Sequence, residues 1–199
     1  YIRLCVPRLL QDEVENIIYL DADTLCLDDI SSIQQIDISN VICAVSHDSL
    51  TPHESKQAKR LGLNSKHYFN SGFMYINITQ WMKCDIENKA NLFILKNNNN
   101  LPYPDQDALN AVMDGNIKFI DKRWNYLFNW YNEEQQETYF YHAETTPRIL
   151  HFTGSRRPWY REHCGLSPQL YLFYQHFTPW PHTPLRSYPP RMRPTDFRV

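Results

Sequence analysis

The most informative segment of this chain reads Asn16-Ile17-Ile18-Tyr19-Leu20-Asp21-Ala22-Asp23-Thr24. Its apolar and β-branched residues predict a buried strand over residues 16–20, ending where the acidic pair begins. Two carboxylates spaced two residues apart after such a strand, Asp21 and Asp23, can converge on one hard cation, since Mg²⁺ and Mn²⁺ prefer oxygen ligands. The alternative for the same residues is a solvated turn capped by an aspartate.

Strands and helices alternate along the rest of the chain. Apolar strands are predicted over residues 41–46, 68–77, 117–120 and 149–152, and helices over residues 2–10, 55–61, 80–96 and 105–113. This alternation, with strands that are apolar on both faces, predicts an α/β fold with a mostly parallel sheet. Ligands of such sheets bind beyond the carboxyl ends of the strands. Polar side chains are expected at those ends: Asp21, Asp23, Asp48 and His151, with Gly154 close by.

Composition places the chain among globular proteins. It has 199 residues and a formal net charge of −2, with 42% hydrophobic and 21% charged residues, a length that suits one domain or one domain with a tail. The near-neutral charge gives no electrostatic case for nucleic acid as a partner, and no apolar stretch is long enough to cross a bilayer. The five cysteines include no Cys-x-x-Cys pair, which favours a reducing cytoplasm over a disulfide framework.

A second polar cluster reads Tyr103-Pro104-Asp105-Gln106-Asp107-Ala108-Leu109-Asn110. It begins a predicted helix, where acidic residues are favoured by the helix dipole. That interpretation accounts for both aspartates, so this motif alone leaves a structural and a functional role open.

A third cluster reads His151-Phe152-Thr153-Gly154-Ser155-Arg156-Arg157-Pro158-Trp159. A histidine at the end of a strand can bind a metal. The Gly-Ser turn exposes backbone N–H groups, and the arginine pair supplies bidentate donors for phosphate. The alternative is an ordinary exit from a strand followed by a solvated basic pair.

A fourth cluster reads Tyr68-Phe69-Asn70-Ser71-Gly72-Phe73-Met74. A glycine inside an apolar strand indicates a bend or bulge. In a functional interpretation Asn70 offers its amide to a sugar hydroxyl and Gly72 allows a ligand to approach the backbone. In the alternative the segment is only a bulged core strand.

The C-terminal stretch differs in charge from the rest of the chain. Residues 155–199 contain seven arginines and two acidic residues, together with many aromatic residues and prolines. Such a segment can form a small subdomain that covers the sheet edge, or it can attach to an anionic membrane face through charge and interfacial aromatics. The two roles are compatible. We therefore place a domain boundary after residue 159, with an extension over residues 160–199.

Taken together and in this order, the four clusters resemble glycosyltransferase family 8, and more narrowly its bacterial lipopolysaccharide core glucosyl- and galactosyltransferases. The resemblance runs from Tyr1 to about Trp159. It implies a GT-A (Rossmann-like) fold, a UDP-hexose donor, a lipopolysaccharide core acceptor, a divalent metal (Mn²⁺ or Mg²⁺) and retention at the anomeric carbon. Cysteine usage and the basic C-terminal segment indicate a cytoplasmic protein that can lie peripherally on the cytoplasmic face of the inner membrane. The first strand of the family would precede Tyr1, so the chain is expected to be N-terminally incomplete.

The resemblance also implies a role for individual residues. Gln106 matches the amide on the reacting face of the donor carbon, and Arg157 stands where the family usually has a lysine on the diphosphate. Arg3 matches an arginine near the nucleotide and donor sugar, and Gly154 matches the glycine beside the diphosphate. The metal ligands would be Asp21, Asp23 and His151, and the donor sugar would be held by Asp48, Asn70 and Asp105.

Two other classes of protein fit parts of the sequence. A strand followed by Asp21-x-Asp23-x-Thr24 also fits the nucleophile motif of haloacid-dehalogenase-type phosphatases, although no convincing downstream Lys and acidic pair accompany it. The other class is a non-catalytic fragment of a glycosyltransferase that retains only sugar binding. Phosphate release from a generic phosphoester would indicate the first, and an absence of metal-dependent UDP binding the second.

Overall fold

A computed structural model describes residues 1–48, 55–97, 100–130, 146–154, 157–163 and 165–188. The apolar run from Asn16 forms the strand that the sequence predicts, with the predicted bounds. The helices of the described residues are α1 (Ile2–Leu9), α2 (Lys56–Leu61), α3 (Ile78–Lys83), α4 (Ile86–Lys96), α5 (Pro104–Val112) and α6 (Leu166–Gln175). Their strands are β1 (Asn16–Leu20), β2 (Thr24–Cys26), β3 (Cys43–His47), β4 (Phe69–Asn77), β5 (Ile117–Phe119), β6 (Tyr126–Leu127) and β7 (Ile149–His151).

Contacts divide the chain into two compact units. The first comprises residues 1–21 and 29–125, and the second comprises residues 22–28 and 126–199. The predicted domain boundary after residue 159 falls inside the second unit and stays a prediction.

The sheet of the first unit has the strand order β1-β4-β3-β5. The α/β class is confirmed, but the sheet is mixed: β4 runs antiparallel to both β1 and β3, and β3 runs parallel to β5. The prediction of a mostly parallel sheet relied on strands that are apolar on both faces. That pattern indicates burial on both faces and does not indicate strand direction. β4 is antiparallel to its neighbours and is nevertheless buried over almost its whole length.

A bulge interrupts the pairing of β4 with β3. Ala44 pairs with Tyr75, but Ser46 pairs with Asn70, so the register shifts in the stretch that contains Gly72. The predicted irregularity at this glycine is therefore confirmed. It matters for the site because the shift turns the backbone around Ser71 away from regular pairing.

The single helix predicted to end near Lys96 is wrong, because the chain forms α3 and α4 instead. Asp85 adopts a left-handed conformation (φ 53°) and ends the run of helical backbone after α3. Asn77 begins α3 by accepting a hydrogen bond from the Gln80 backbone N–H (3.0 Å). No glycine or proline marks the break, so the sequence carried no strong stop signal there.

The core of the first unit is formed by side chains from α1, α3, α4 and α5 that pack on the sheet. Trp81 and Phe69 are among its largest fully buried members. Burying one such side chain contributes about 1.5–3 kcal/mol. This core fixes the N-terminus of α5 and the start of β4, which carry most of the predicted polar site residues.

The second unit has its own sheet, with the order β2-β7-β6. β7 is antiparallel to β2 and parallel to β6. Leu166 and Leu170 of α6 pack against a buried cluster from this sheet. The longest helix of the described residues, α4, has 11 residues, and none of the described helices is long and apolar enough to cross a membrane.

Candidate active site

Arg3 forms the centre of a polar network in the first unit. Its Nη2 lies 2.9 Å from Asp21 Oδ1, and its Nε lies 2.9 Å from Asp105 Oδ2. Its Nη1 also donates to the Ser71 backbone carbonyl (3.0 Å). One guanidinium thus joins the end of β1, the start of α5 and the bulge of β4. Guanidinium is suited to this role because its donors form a rigid planar fork.

Tyr19 binds the same carboxylate oxygen of Asp21. Its hydroxyl donates to Asp21 Oδ1 (2.8 Å), and the Arg3 guanidinium lies over its ring, 5.1 Å from the centroid. Burial raises the pKa of Tyr19 to about 12, so the phenol stays protonated and remains a donor. The side chain of Asp21 is therefore fixed by two groups before any ligand binds.

Gln106 is the most completely hydrogen-bonded of the predicted site residues. Its Nε2 donates to Asp48 Oδ2 (3.2 Å) and to the Tyr68 hydroxyl (3.2 Å). Its Oε1 accepts from the Ser71 backbone N–H (3.0 Å). These partners determine which end of the amide is oxygen and which is nitrogen, and they hold a neutral side chain in one orientation.

Asp48 and Asn70 complete the network. Asn70 Nδ2 donates to Asp48 Oδ1 (3.2 Å), while Asn70 Oδ1 accepts from the Gly72 N–H (2.9 Å) and from Asn125 Nδ2 (3.0 Å). Both Asp48 and Asn70 are buried. All six predicted site residues of the first unit, Arg3, Asp21, Asp48, Asn70, Asp105 and Gln106, therefore belong to one connected network.

Asp107 lies in the acidic first turn of α5 and also supports this network. It is fully buried and pairs with Arg60 (2.7 Å). The Tyr68 hydroxyl donates to its Oδ1 (2.6 Å). Burial and this bond to Asp107 raise the pKa of Tyr68 far above its usual range. The helix-dipole interpretation is thus incomplete, because both aspartates of the motif have specific partners.

In the second unit, β-pairing brings the other predicted residues together. Thr24 of β2 lies opposite His151 of β7, and the Phe152 N–H donates to the Asp23 carbonyl (2.9 Å). His151 Nε2 consequently lies 3.3 Å from Asp23 Oδ1, and the His151 side chain is buried. The strand register therefore places an imidazole against a carboxylate 128 residues earlier in the chain.

Arg157 and Gly154 lie on the segment that follows β7. Arg157 pairs with Asp23 and donates to the Phe152 carbonyl (2.6 Å). Gly154 has a left-handed backbone (φ +90°) and open space where a Cβ would project. A residue other than glycine would be strained there by its backbone conformation and not by crowding.

The ligand set fits a divalent cation. Within the second unit, ligand atoms of Asp23 and His151 lie within 4.8 Å of each other, and Asp21 stands two positions before Asp23 in the sequence. Two carboxylates and one imidazole suit Mn²⁺ or Mg²⁺ better than a soft metal, because no thiolate takes part. Asp23 and His151 lie together within the second unit, and the role of Asp21, Asp23 and His151 as the ligands of one metal ion stays a prediction.

Comparison with known proteins assigns the family. A family model described as Glycosyl transferase family 8 matches residues 1–163. The chain belongs to glycosyltransferase family 8. This confirms the family that the four sequence motifs indicate, and it counts against the phosphatase alternative.

Two curated relatives of this chain illustrate the relationship. The lipopolysaccharide 1,2-glucosyltransferase of Escherichia coli K12 is 28% identical over 185 residues, which cover 90% of this chain and 54% of that protein. The lipopolysaccharide 1,3-galactosyltransferase of Salmonella typhimurium LT2 is 29% identical over 192 residues, covering 93% of this chain and 56% of that protein. The family 8 chain thus spans about half the length of these relatives.

Among solved structures, the galactosyltransferase LgtC in complex with donor and acceptor sugar analogs is similar to this family 8 chain. Its TM-score is 0.65 at 21% identity, and the match covers 81% of this chain and 60% of that one. At this identity the likeness establishes the fold, and the predicted GT-A fold is confirmed.

Sequence reasoning missed the residues that hold the network in place. The motifs predict no role for Ser71, Tyr68 or Asn125, and they explain Asp107 only by the helix dipole. Their contacts join positions far apart in the chain, so no local sequence pattern indicates these residues. The signal available was indirect: Tyr68 and Ser71 flank Asn70, and Asp107 follows Gln106.

Proposed function

We propose that this chain carries the centre of a retaining hexosyltransferase that moves glucose or galactose from a UDP-sugar to a lipopolysaccharide core oligosaccharide. The observation that carries the proposal is the Arg3 bridge, which ties Asp21 of the Asp-x-Asp motif to Asp105, the neighbour of Gln106. The names of the two curated relatives support the donor sugars and the acceptor. Membership of family 8 supports glycosyl transfer as the reaction class.

A divalent metal, Mn²⁺ or Mg²⁺, would be held by Asp21, Asp23 and His151. When bound, it would supply Lewis-acid neutralisation of the charge that develops on the UDP leaving group. The neighbouring donors are cationic or backbone groups suited to the same oxygens. In this proposal Arg157 and the N–H groups beside Gly154 bind the diphosphate, and Arg3 orients Asp21.

The donor hexose would be held by acceptors and donors of the first unit. Asp48, Asn70 and Asp105 present carboxylate and amide groups that can bind sugar hydroxyls. Asp48 and Asn70 are already bonded to each other and to Gln106 or to backbone. Such preorganised groups lose little freedom when they bind a ligand, which favours orientation of the reacting carbon.

Gln106 would face the anomeric carbon. Its amide is neutral and makes a poor nucleophile, so a double displacement through this side chain is disfavoured. We assign it to stabilising positive charge on the oxocarbenium-like carbon through its carbonyl dipole. The carbon–oxygen bond to UDP breaks, the bond to the acceptor oxygen forms on the same face, and the acceptor proton passes to a departing diphosphate oxygen. Attack on that face retains the configuration.

The C-terminal extension would place the protein at the cytoplasmic face of the inner membrane. Several large apolar side chains of the second unit are exposed, and the segment carries an excess of arginine. Exposed aromatics together with basic residues are the features of peripheral attachment to an anionic surface. These exposed side chains are Leu172, Phe173, Phe177 and Trp180.

The test is calorimetric binding of UDP to the 199-residue chain with and without Mn²⁺. We expect binding that requires the metal and that is lost in Asp21→Asn and Asp23→Ala, while Asp12→Asn, an exposed acid beyond α1, binds as the parent chain does. UDP binding that is equally strong with and without Mn²⁺, or that is retained in both site variants, would exclude this metal site. Incubation with UDP-glucose and UDP-galactose then identifies the donor, and turnover of a generic phosphoester would support the phosphatase alternative instead.

A further inference from the structure

A cavity of about 460 Å³ lies within the second unit, beside Asp23. Its volume falls in the range of small-molecule pockets. Its walls come from the start of β2, from α6 and from the loop that follows α6. The residues that matter for its chemistry are Asp23, Trp159, Tyr171, Tyr174, Gln175 and Trp180.

Five aromatic residues contribute to the wall. The rings of Trp159 and Tyr171 pack against each other with centroids 6.2 Å apart, and the Arg157 guanidinium lies 5.7 Å from the Trp159 ring. Trp180 is 69% exposed although it lines the cavity. A large ring that lies at a cavity mouth without packing in the core is available to a ligand.

Polar atoms are placed at one side of this aromatic surface. Gln175 is buried, and its Nε2 donates to the Thr183 carbonyl (3.1 Å). Thr178 Oγ1 donates to the Gln175 carbonyl (2.8 Å) and accepts from the Trp180 N–H (3.2 Å). These bonds hold the loop after α6 in a defined conformation, so this side of the cavity is formed before a ligand binds.

The charge of the wall excludes an anionic ligand. Among the described residues that line it there is no lysine or arginine, and its one ionisable acid, Asp23, is paired with Arg157 and His151. A phosphate would find no cation on this wall. A neutral ligand with one apolar face and one polar edge matches the arrangement.

We propose that this cavity binds a neutral hexopyranose of the acceptor saccharide. The C–H face of the sugar ring packs on Trp180 and Tyr171, and its hydroxyls point toward Gln175 and Asp23. The assignment to the acceptor rests on the proposed function, because the proposed acceptor is an oligosaccharide. An acyl chain fits less well, because the wall carries hydroxyl, amide and carboxylate groups.

The experiment is saturation-transfer NMR on the 199-residue chain with methyl α-D-glucopyranoside and methyl α-D-galactopyranoside, without UDP or metal. We expect transfer to the ring protons of at least one glycoside, and an affinity about tenfold lower in Trp180→Ala. The matched control is Tyr1→Ala, which removes a similarly exposed ring of the first unit that does not line the cavity and leaves the affinity unchanged.

Several results would overturn the proposal. The first is an absence of saturation transfer to both glycosides, and the second is an equal glycoside affinity in Trp180→Ala and the parent chain. The third is that dodecanoate, which represents an acyl chain, displaces the glycoside and binds more tightly than it does. Folding of Trp180→Ala is checked by its urea midpoint. The assay contains no UDP or Mn²⁺, so it is independent of the test of the proposed function. If the glycoside binds but UDP shows no metal-dependent binding, the proposed function is excluded and the sugar site is kept. If UDP binds with the metal but neither glycoside binds, only the sugar site is excluded.

Discussion

Tyr68 and Gln106 share a hydrogen bond that sets the direction of the Gln106 amide. Gln106 Nε2 lies 3.2 Å from the Tyr68 hydroxyl, and that hydroxyl lies 2.6 Å from Asp107 Oδ1. Because the hydroxyl donates its one proton to the buried carboxylate, it can only accept from Gln106. The Gln106 oxygen is therefore left to Ser71 and to whatever binds on that side of the amide.

Tyr68→Phe tests this relationship. The substitution removes one donor from buried Asp107 and one acceptor from Gln106, so we expect the free energy of unfolding to fall by about 1–3 kcal/mol. We also expect a lower kcat with little change in KM, because the amide of Gln106 loses its fixed orientation. Urea denaturation and steady-state transfer assays measure the two effects.

Tyr75→Phe is the control for this variant. Tyr75 lies in β4 and is buried, but its hydroxyl makes no hydrogen bond within the part of the chain that the structure describes. We expect a change in unfolding free energy close to zero. Equal losses in the two variants would contradict a specific role for the Tyr68 hydroxyl.

The sequence predicted those parts of the molecule whose signals are local. β1 was predicted with its observed bounds because an apolar run ends at Asp21. The helix break at Asp85 was missed because its left-handed conformation has no glycine to mark it. β2 and β6 have three and two residues, and they exist only because β7 pairs with both.

The candidate site divides in the same way. The motifs identified Asp21, Asp105 and Gln106 because the resemblance to family 8 rests on them. The supporting residues, Tyr68 and Asp107 among them, were missed because their importance depends on contacts that only the folded chain creates. The motifs therefore predicted which residues belong to the candidate site, whereas the contacts that hold those residues in place could be seen only in the folded chain.

His47 predicts a pH dependence of stability. Its ring stacks on Phe119 with centroids 3.9 Å apart, and burial, together with the neighbouring His67, lowers its pKa below the ordinary 6.5. The unfolded chain therefore binds this proton at a higher pH than the folded chain does. The free energy of unfolding should fall as the pH drops below about 6.5, and this contribution levels off below the folded-state pKa.

Urea denaturation of His47→Phe at about pH 7.5 and about pH 5.5 measures this contribution. Phenylalanine keeps a ring against Phe119 but does not titrate, so the variant should lose less stability on acidification than the parent chain. His176→Gln, which removes an exposed histidine of the second unit, serves as the control and should keep the parental slope. Identical pH slopes in His47→Phe and the parent would contradict the prediction.

Arg3→Lys tests whether the bridge between Asp21 and Asp105 matters for catalysis. A lysine keeps the charge, but its single ammonium cannot replace the guanidinium fork that reaches Asp21, Asp105 and the Ser71 carbonyl together. We expect kcat to fall by about 100-fold, comparable to the loss of one preorganised donor. Steady-state transfer assays, with whichever UDP-sugar the donor incubation selects, measure the effect.

Arg8→Lys provides a matched control on the same helix. Arg8 also makes two contacts to one acid, Glu87, at 2.8 and 3.3 Å, but it is half exposed and lies outside the network. We expect an unchanged kcat. A similar loss in both variants would mean that α1 stability, and not the bridge, limits the reaction.

Exposed aromatic residues of α6 and the turn after it predict binding to anionic membranes. Phe173 and Phe177 pack edge to face with ring centroids 5.3 Å apart and are 58% and 71% exposed. Replacing both with serine removes the apolar side chains that would enter the interface. We expect the affinity for phosphatidylglycerol vesicles to fall by at least about tenfold, as measured by cosedimentation of the 199-residue chain.

Leu95→Ser separates this effect from general surface hydrophobicity. Leu95 of α4 is 72% exposed but belongs to the first unit, so its substitution should leave vesicle binding unchanged. Binding of the parent chain should also weaken with added salt and be weaker to phosphatidylcholine vesicles, because arginines of the C-terminal segment supply the attraction to anionic lipid. Equal binding to both lipids, or equal binding of the Phe173→Ser/Phe177→Ser variant and the parent, would exclude this segment as the membrane contact.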